Sequence, residues 1–385
     1  MSQLFEPIDL GPLKLRNRVV KAAAFEGMCP GGRPSAALVE HHRAVAAGGV
    51  AMCTVAYASV SPTGRTFAHQ MWLHGDIEAE LRALTDAIHA EGAAASIQLG
   101  HAGCMADSRL GRVIAPSRVP NLYGLTLPRP MTEHDIDELV SQFGAATAVA
   151  KACGFDAVEI QAGHGYLISQ FLSPHTNRRR DTFGGSLENR ARVLVEVLRA
   201  VRKQAAGMAV TVKMNLRDGF RGGLELDEAL EVARIAEREG VDALQLSGGF
   251  ASKAPWYIMR GEVPWPEIMQ GESRPLRKLG IGLFGRWMVT SMPLREAYFF
   301  GMAREVRRSV KLPLMLVGGL RTRATIDRVL AAGLDLVAMA RPFIRDPAFM
   351  QQLKRKEAAS ECVPCNRCVA SMYHGEQRCP YRQDD

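Results

Sequence analysis

Residues 157–167 read AVEIQAGHGYL, residues 186–205 read SLENRARVLVEVLRAVRKQA, and residues 210–214 read VTVKM. The first and third are short, nearly all-apolar runs rich in β-branched residues, as expected of parallel strands covered on both faces. The stretch between them is amphipathic and predicts a helix. The same alternation recurs along the chain. Strands are expected at 18–22, 50–55, 93–99, 157–161, 210–214, 243–246, 314–317 and 334–339. Helices are expected at about 35–47, 76–91, 133–153, 186–205, 225–239, 294–309, 322–331 and 346–354. Several of these helices run into a glycine (Gly48, Gly92, Gly154, Gly240, Gly333), the residue that takes a left-handed C-cap at low steric cost. Eight strands alternating with eight helices is the pattern of an α/β fold, the (β/α)8 TIM barrel. A doubly wound sheet would need a glycine-rich turn after an early strand. The one Gly-x-Gly-x-x-Gly, Gly280 to Gly285, follows no strand and reads as a loop.

Composition supports a large folded core. The chain has 385 residues, 47% hydrophobic and 23% charged, which excludes both disorder and a disulfide-stapled miniprotein. No apolar run approaches the roughly 20 residues that span a bilayer. The opening MSQLFEPIDLGPLKL lacks the basic start and apolar centre of a signal peptide, so a cytoplasmic protein without membrane or nucleic-acid partners is expected. The net charge of +8 is mild and scattered, its densest run being Arg178-Arg179-Arg180. Two connections are long, 100–131 after the third strand and 247–293 after the sixth. The second contains Trp256, Trp265 and Trp287. Both leave the strand ends where barrel active sites lie, so they read as lids or substrate walls, or as contacts between copies in a homo-oligomer. The expected organisation is a barrel over 1–355 and a Cys-rich extension over 356–385.

Chemistry concentrates just beyond the fourth strand. His164 and Tyr166 can both point over the barrel mouth, where an imidazole N–H can polarise a carbonyl and a phenol can deliver a proton. Lys213 ends the fifth strand, and a cation in an apolar strand is expensive unless paired.

These motifs resemble the old yellow enzyme family of FMN-dependent NAD(P)H:flavin oxidoreductases, including its dienoyl-CoA reductase-like branch. The resemblance runs over nearly the whole chain. It includes Leu15-Arg16-Asn17-Arg18-Val19-Val20, Gln98-Leu99-Gly100-His101-Ala102-Gly103, His164-Gly165-Tyr166-Leu167, Gln170-Phe171-Leu172-Ser173-Pro174, Gly184-Gly185-Ser186-Leu187-Glu188-Asn189-Arg190, Val317-Gly318-Gly319-Leu320 and Ala340-Arg341-Pro342. It implies FMN bound by Ala22, Ala23, Tyr57, Gln98, Lys213, Gly318, Gly319, Ala340 and Arg341. Loops after strands 7 and 8 form phosphate sites in such barrels, and there Gly318, Gly319 and Arg341 stand. By the same resemblance, Lys213 and Gln98 face the flavin pyrimidine edge, Tyr166 and His164 are catalytic with Gln161, and NAD(P)H is the reductant. The expected small-molecule substrate is an activated alkene, reduced by ping-pong hydride transfer. An amine dehydrogenase, demethylase or desaturase of the same fold is the alternative, and a redox sensor or electron carrier is the alternative of another class.

Several positions depart from the family pattern. Gln161 stands where relatives place a His, Phe25 near the redox-tuning Cys or Thr, and Tyr57 where relatives have Ala or Gly. Cys104 replaces an Arg, and Ala340 replaces a Gly. Phe25, Trp256 and Trp265 are candidate substrate or lid residues. Finally, Cys362, Cys365, Cys368 and Cys379 crowd the C-terminus at a spacing that suits a 4Fe–4S cluster or a structural zinc, with free or disulfide-forming thiols as the third reading. The branch that carries 4Fe–4S on a similar tail has two of these gaps one residue longer.

Overall fold

Eight apolar runs pair in parallel and close on themselves. They are β1 (Val19–Lys21), β2 (Met52–Ser59), β3 (Ala94–Gly100), β4 (Ala157–Ala162), β5 (Ala209–Asn215), β6 (Ala243–Ser247), β7 (Leu314–Val317) and β8 (Leu336–Met339). Consecutive strands are neighbours, and β8 pairs with β1 to shut the cylinder. The computed structural model describes residues 3–122, 124–272, 275–288, 291–372 and 375–382. The helices packed outside are α1 (Ala36–Ala47), α2 (Glu78–Ala90), α3 (Glu133–Ala152), α4 (Leu187–Gln204), α5 (Leu226–Arg238), α6 (Phe300–Ser309), α7 (Arg323–Ala331) and α8 (Phe349–Gln352). The (β/α)8 expectation therefore holds. Among the described residues no helix is long and apolar enough to cross a membrane.

Alternation along each strand makes two cores. Outward residues such as Val158, Ile160, Val210, Val212, Leu244 and Leu316 pack under the helices, with Leu84, Phe143 and Leu194 among their partners. Inward residues at the base are small or apolar, Val20, Ala157, Ala209, Ala243 and Leu336. A hairpin of Ile8–Leu10 and Leu13–Leu15 plugs that end with the fully buried Leu10 and Leu15. The residues that line the cavity lie toward the C-terminal ends of the strands.

The structure corrects some local expectations. The helix expected at 294–309 starts at Phe300, because Ala297 takes a left-handed φ of 49°. That expected at 346–354 shrinks to α8, because Pro347 holds Asp346 extended. Gly92, Gly154, Gly240 and Gly333 have the expected positive φ, whereas Gly48 stays right-handed and Gly49 makes the turn. Gly280 to Gly285 lies in a helix, Pro275–Met288, and not in a loop. The long connection after β6 is thus largely helical, with Pro255–Ile258 and Trp265–Gly271 preceding that helix. The side chain of Trp287 lies outside the described residues.

Beyond β4 the chain reverses sharply. His164 has φ 58° and Gly165 has φ 77°. A Cβ on Gly165 would lie 2.4 Å from the Phe250 ring. Gly165→Ala is therefore expected to destabilise the fold by about 2 kcal/mol or more, through both the clash and the left-handed φ. Urea denaturation checks this, and an unchanged midpoint would contradict the packing described.

Candidate active site

The upper, inward-facing positions of β3 to β6 are polar. Glu159 sits fully inside the barrel, where a carboxylate survives only if paired and hydrogen-bonded. Gln98 Nε2 donates to its Oε1 at 2.6 Å, and Gln245 Nε2 donates to its Oε2. The Lys213 ammonium lies 3.7 Å from Glu159 and 3.4 Å from the Ala23 carbonyl. Burial lowers the Lys213 pKa, and the charge of Glu159 opposes that shift. Gln161 completes the set: its Nε2 donates to Gln98 Oε1 at 3.2 Å, and its Oε1 accepts from Gly163 N–H at 3.1 Å. Gln161 thus braces Gln98 as well as facing the cavity.

A cavity of about 250 Å³ lies above this layer. The structure brings to its wall Gln161, His164 and Tyr166 together with Ala22, Ala23, Phe25, Tyr57, Gln98, Lys213, Gly318, Gly319, Ala340 and Arg341. A register shift in β2 between Val55 and Ala58 lets both Ala56 and Tyr57 reach it. His164 Nε2 is hydrogen-bonded to Ser247 Oγ at 2.7 Å, and its backbone N–H donates to Asn215 Oδ1 at 2.9 Å. Tyr166 packs edge-on against Tyr57, with centroids 4.9 Å apart. The two phenols are hydrogen-bonded, and Tyr57 also bonds to Thr66. Burial pushes the Tyr57 phenol up to about 12, so it stays protonated. Phe25 stacks on Phe67 at 5.2 Å and extends the aromatic wall.

At the opposite end, Gly318 and Gly319 take φ of 130° and 69°. A Cβ on either would approach the Tyr298 ring to 3.0 Å or closer, so only bare backbone fits here. Arg341 and Arg321 line the same end, and Arg321 Nε is buried without a protein partner. Two guanidiniums, two exposed-backbone glycines and an orphaned N–H donor fit a phosphate group. Gln98 and Lys213 offer the amide and cation suited to a flavin pyrimidine edge. The residues present therefore fit FMN.

Sequence reasoning missed Glu159, Ser247, Arg321 and Tyr298. Glu159 carried the same signal as Lys213, a charge inside an apolar strand. It also missed the buried Lys21–Glu26 pair, which anchors the Ala22–Phe25 segment; Glu26 also accepts from Ala56 N–H at 3.1 Å. Trp256 and Trp265 do not line the cavity. Trp256 is buried, and Trp265 packs toward Gly285. Cys362 reaches the cavity wall, and Cys368 has the other three tail thiols as neighbours. No three of these sulfurs lie within 4.8 Å of one another. Among the described residues the one ligand-type trio that close is Glu26, His41 and His42, and the Lys21 ammonium already occupies Glu26.

Residues 3–249 match the NADH:flavin oxidoreductase / NADH oxidase family. The chain is 41% identical over 384 residues to a 4,4'-dithiodibutanoate disulfide reductase of Rhodococcus erythropolis, covering 98% of this chain and 95% of that one. Its fold matches a 2-naphthoyl-CoA reductase complex with a TM-score of 0.85 at 24% identity, over 98% of this chain but 56% of that one. It also matches a morphinone reductase complex with a TM-score of 0.74 at 23% identity, over 97% and 94% of the two chains.

Enclosure of the ring and the nearby Lys213 charge drive the His164 pKa down to about 3, and burial alone brings His101 to about 4. Both are neutral at pH 7. An unfolded histidine titrates near about 6.5, so protons favour the unfolded chain below that value. Their stability contribution is present above pH about 6.5 and is lost as pH falls toward 4 and 3. Thermal unfolding from pH 8 to 4 should show this loss, and His164→Asn should reduce it. An NMR titration placing His164 near its ordinary value would overturn the assignment.

Proposed function

The chain belongs to the NADH:flavin oxidoreductase / NADH oxidase family and is an FMN-dependent NAD(P)H oxidoreductase of the old yellow enzyme type; from that premise we propose that it reduces an activated carbon–carbon double bond of a small-molecule substrate. The observation that carries the reading is the meeting of Gln98, Lys213, His164, Tyr166, Gly318 and Arg341 on one cavity. When bound, FMN supplies the two-electron carrier between NAD(P)H and the acceptor.

The chain's own groups supply the rest. Gly318, Gly319, Arg321 and Arg341 hold the phosphate. Gln98 and Lys213, fixed by Glu159, would hold the pyrimidine edge of the flavin. Neutral His164, held by Ser247, offers a hydrogen bond to a carbonyl oxygen as charge builds there. Tyr166 delivers the proton to the substrate α-carbon, and Tyr57 keeps that phenol oriented. Both reactants use one cavity in turn, which gives ping-pong kinetics.

A second reading is favoured by the Rhodococcus relative, named for a disulfide. Two electrons and two protons would cleave the S–S bond to two thiols, with Tyr166 protonating the departing sulfur. The same cavity serves both.

For the tail we propose a 4Fe–4S cluster on Cys362, Cys365, Cys368 and Cys379. A single zinc would draw its ligand sulfurs to about 3.8 Å from one another, given zinc–sulfur bonds of about 2.3 Å. Cys368 has the other three thiols as neighbours, and no three of the four sulfurs lie within 4.8 Å of one another. Elemental analysis of anaerobically purified protein should give about four irons per chain. One zinc per chain, or no metal at all, would contradict this assignment.

Stopped-flow measurement of the two half-reactions tests the main reading. Tyr166→Phe removes only the O–H. Flavin reduction by NAD(P)H should change little, while reoxidation by an α,β-unsaturated ketone should slow by about 10²- to 10⁴-fold. Native-rate reoxidation in this variant would remove Tyr166 as the acid. Reoxidation by a dicarboxylate disulfide but by no activated alkene would replace the first reading with the second.

A further inference from the structure

We infer that Asn366 is a positioning residue for the cofactor phosphate: from the Cys-rich tail it aims the Arg341 guanidinium, so the Cys365–Cys368 turn sets how tightly flavin is held. This rests on the reading above that places the phosphate between the loops after β7 and β8.

Asn366 is 1% exposed and takes a left-handed conformation with φ 56°. Asparagine is among the few side chains that adopt it readily. Its amide is fully committed. Oδ1 accepts from Arg341 Nη1 at 2.6 Å, and Nδ2 donates to the carbonyls of Met259 and Glu262, each at 2.9 Å. A flipped amide would set N–H groups against a guanidinium and an oxygen against two carbonyls, so one orientation is fixed.

The same junction is tied twice more. Arg341 Nη1 donates to the Arg260 carbonyl at 3.0 Å, and Glu262 N–H donates to the Pro364 carbonyl at 2.8 Å. The loop after β6, the tail and Arg341 therefore form one unit, which lines the cavity through Met259, Pro364 and Arg341.

The residue type matters. Asn366 is a neutral acceptor: it orients the guanidinium without cancelling its charge, which stays available to an anion. Among the described residues no carboxylate forms an ion pair with Arg341. Cys365 and Cys368 flank Asn366 on either side. Whatever fixes those thiols also fixes the amide, so cofactor retention and the state of the tail are linked.

The test compares two flavins that differ only in the phosphate. Dissociation constants for FMN and riboflavin are measured by equilibrium dialysis on the full chain. The variants are Asn366→Gly, which tolerates the left-handed turn, Arg341→Ala, and the double variant. The inference predicts that Asn366→Gly weakens FMN about tenfold and riboflavin less than about twofold, with little added loss in the Arg341→Ala background. A merely structural residue would move both flavins equally, and that result overturns the inference, as does an unchanged FMN constant. Should Asn366→Gly fail to fold, Asn366→Asp replaces it. Its carboxylate keeps the turn but neutralises Arg341, so it must again lower FMN affinity relative to riboflavin. A native chain that does not prefer FMN over riboflavin would instead refute the phosphate site itself, separately from the role of Asn366.

Discussion

A carboxylate sealed inside a barrel is the constraint on which the rest of this structure depends. Glu159 is buried, so it takes its partners from neighbouring strands. It takes Gln98 from β3, Gln245 from β6 and the Lys213 charge from β5. Those bonds hold the amide of Gln98 and the ammonium of Lys213 at the floor of the cavity. The hairpin packs apolar residues at the base, while Gln98, Gln161 and Lys213 line the cavity at the other end.

The walls of the cavity are held by groups from distant parts of the chain. The buried Lys21–Glu26 pair anchors the segment after β1, and the Glu26 carbonyl accepts from Gln377 N–H of the tail at 2.7 Å. His69, beside Phe25, is hydrogen-bonded to the Met372 carbonyl at 3.0 Å. The tail therefore contacts both ends of the cavity, its Asn366 at the phosphate side and its last turns at the aromatic side. A Cys-rich segment in that position is part of the cofactor's surroundings.

Much of this was legible in the sequence, for physical reasons. Parallel strands buried on both faces must be apolar runs, so all eight could be placed. Gly318, Gly319 and Arg341 follow strands 7 and 8, where barrels bind phosphate. His164 and Tyr166 fall one turn past a strand end. What stayed hidden depends on tertiary contact. Arg321 and Tyr298 reach the cavity only because of the path of their loops, and Ser247 matters only because His164 lands on it. Trp256 and Trp265 show that aromatic size does not separate a cavity wall from packing in a helical connection. Cysteine spacing suggested a metal site, but not how far apart the sulfurs would stand.

On this reading the cavity holds an FMN which cycles with NAD(P)H. The most direct measurement is an anaerobic absorbance titration of the purified chain with NADH and NADPH, followed by acid release and identification of the flavin. The expected result is an oxidised flavin spectrum that bleaches with one equivalent of reduced nicotinamide per bound flavin, and FMN as the released species. A chain that carries no flavin and takes none up, or a flavin that neither nucleotide bleaches, would contradict it.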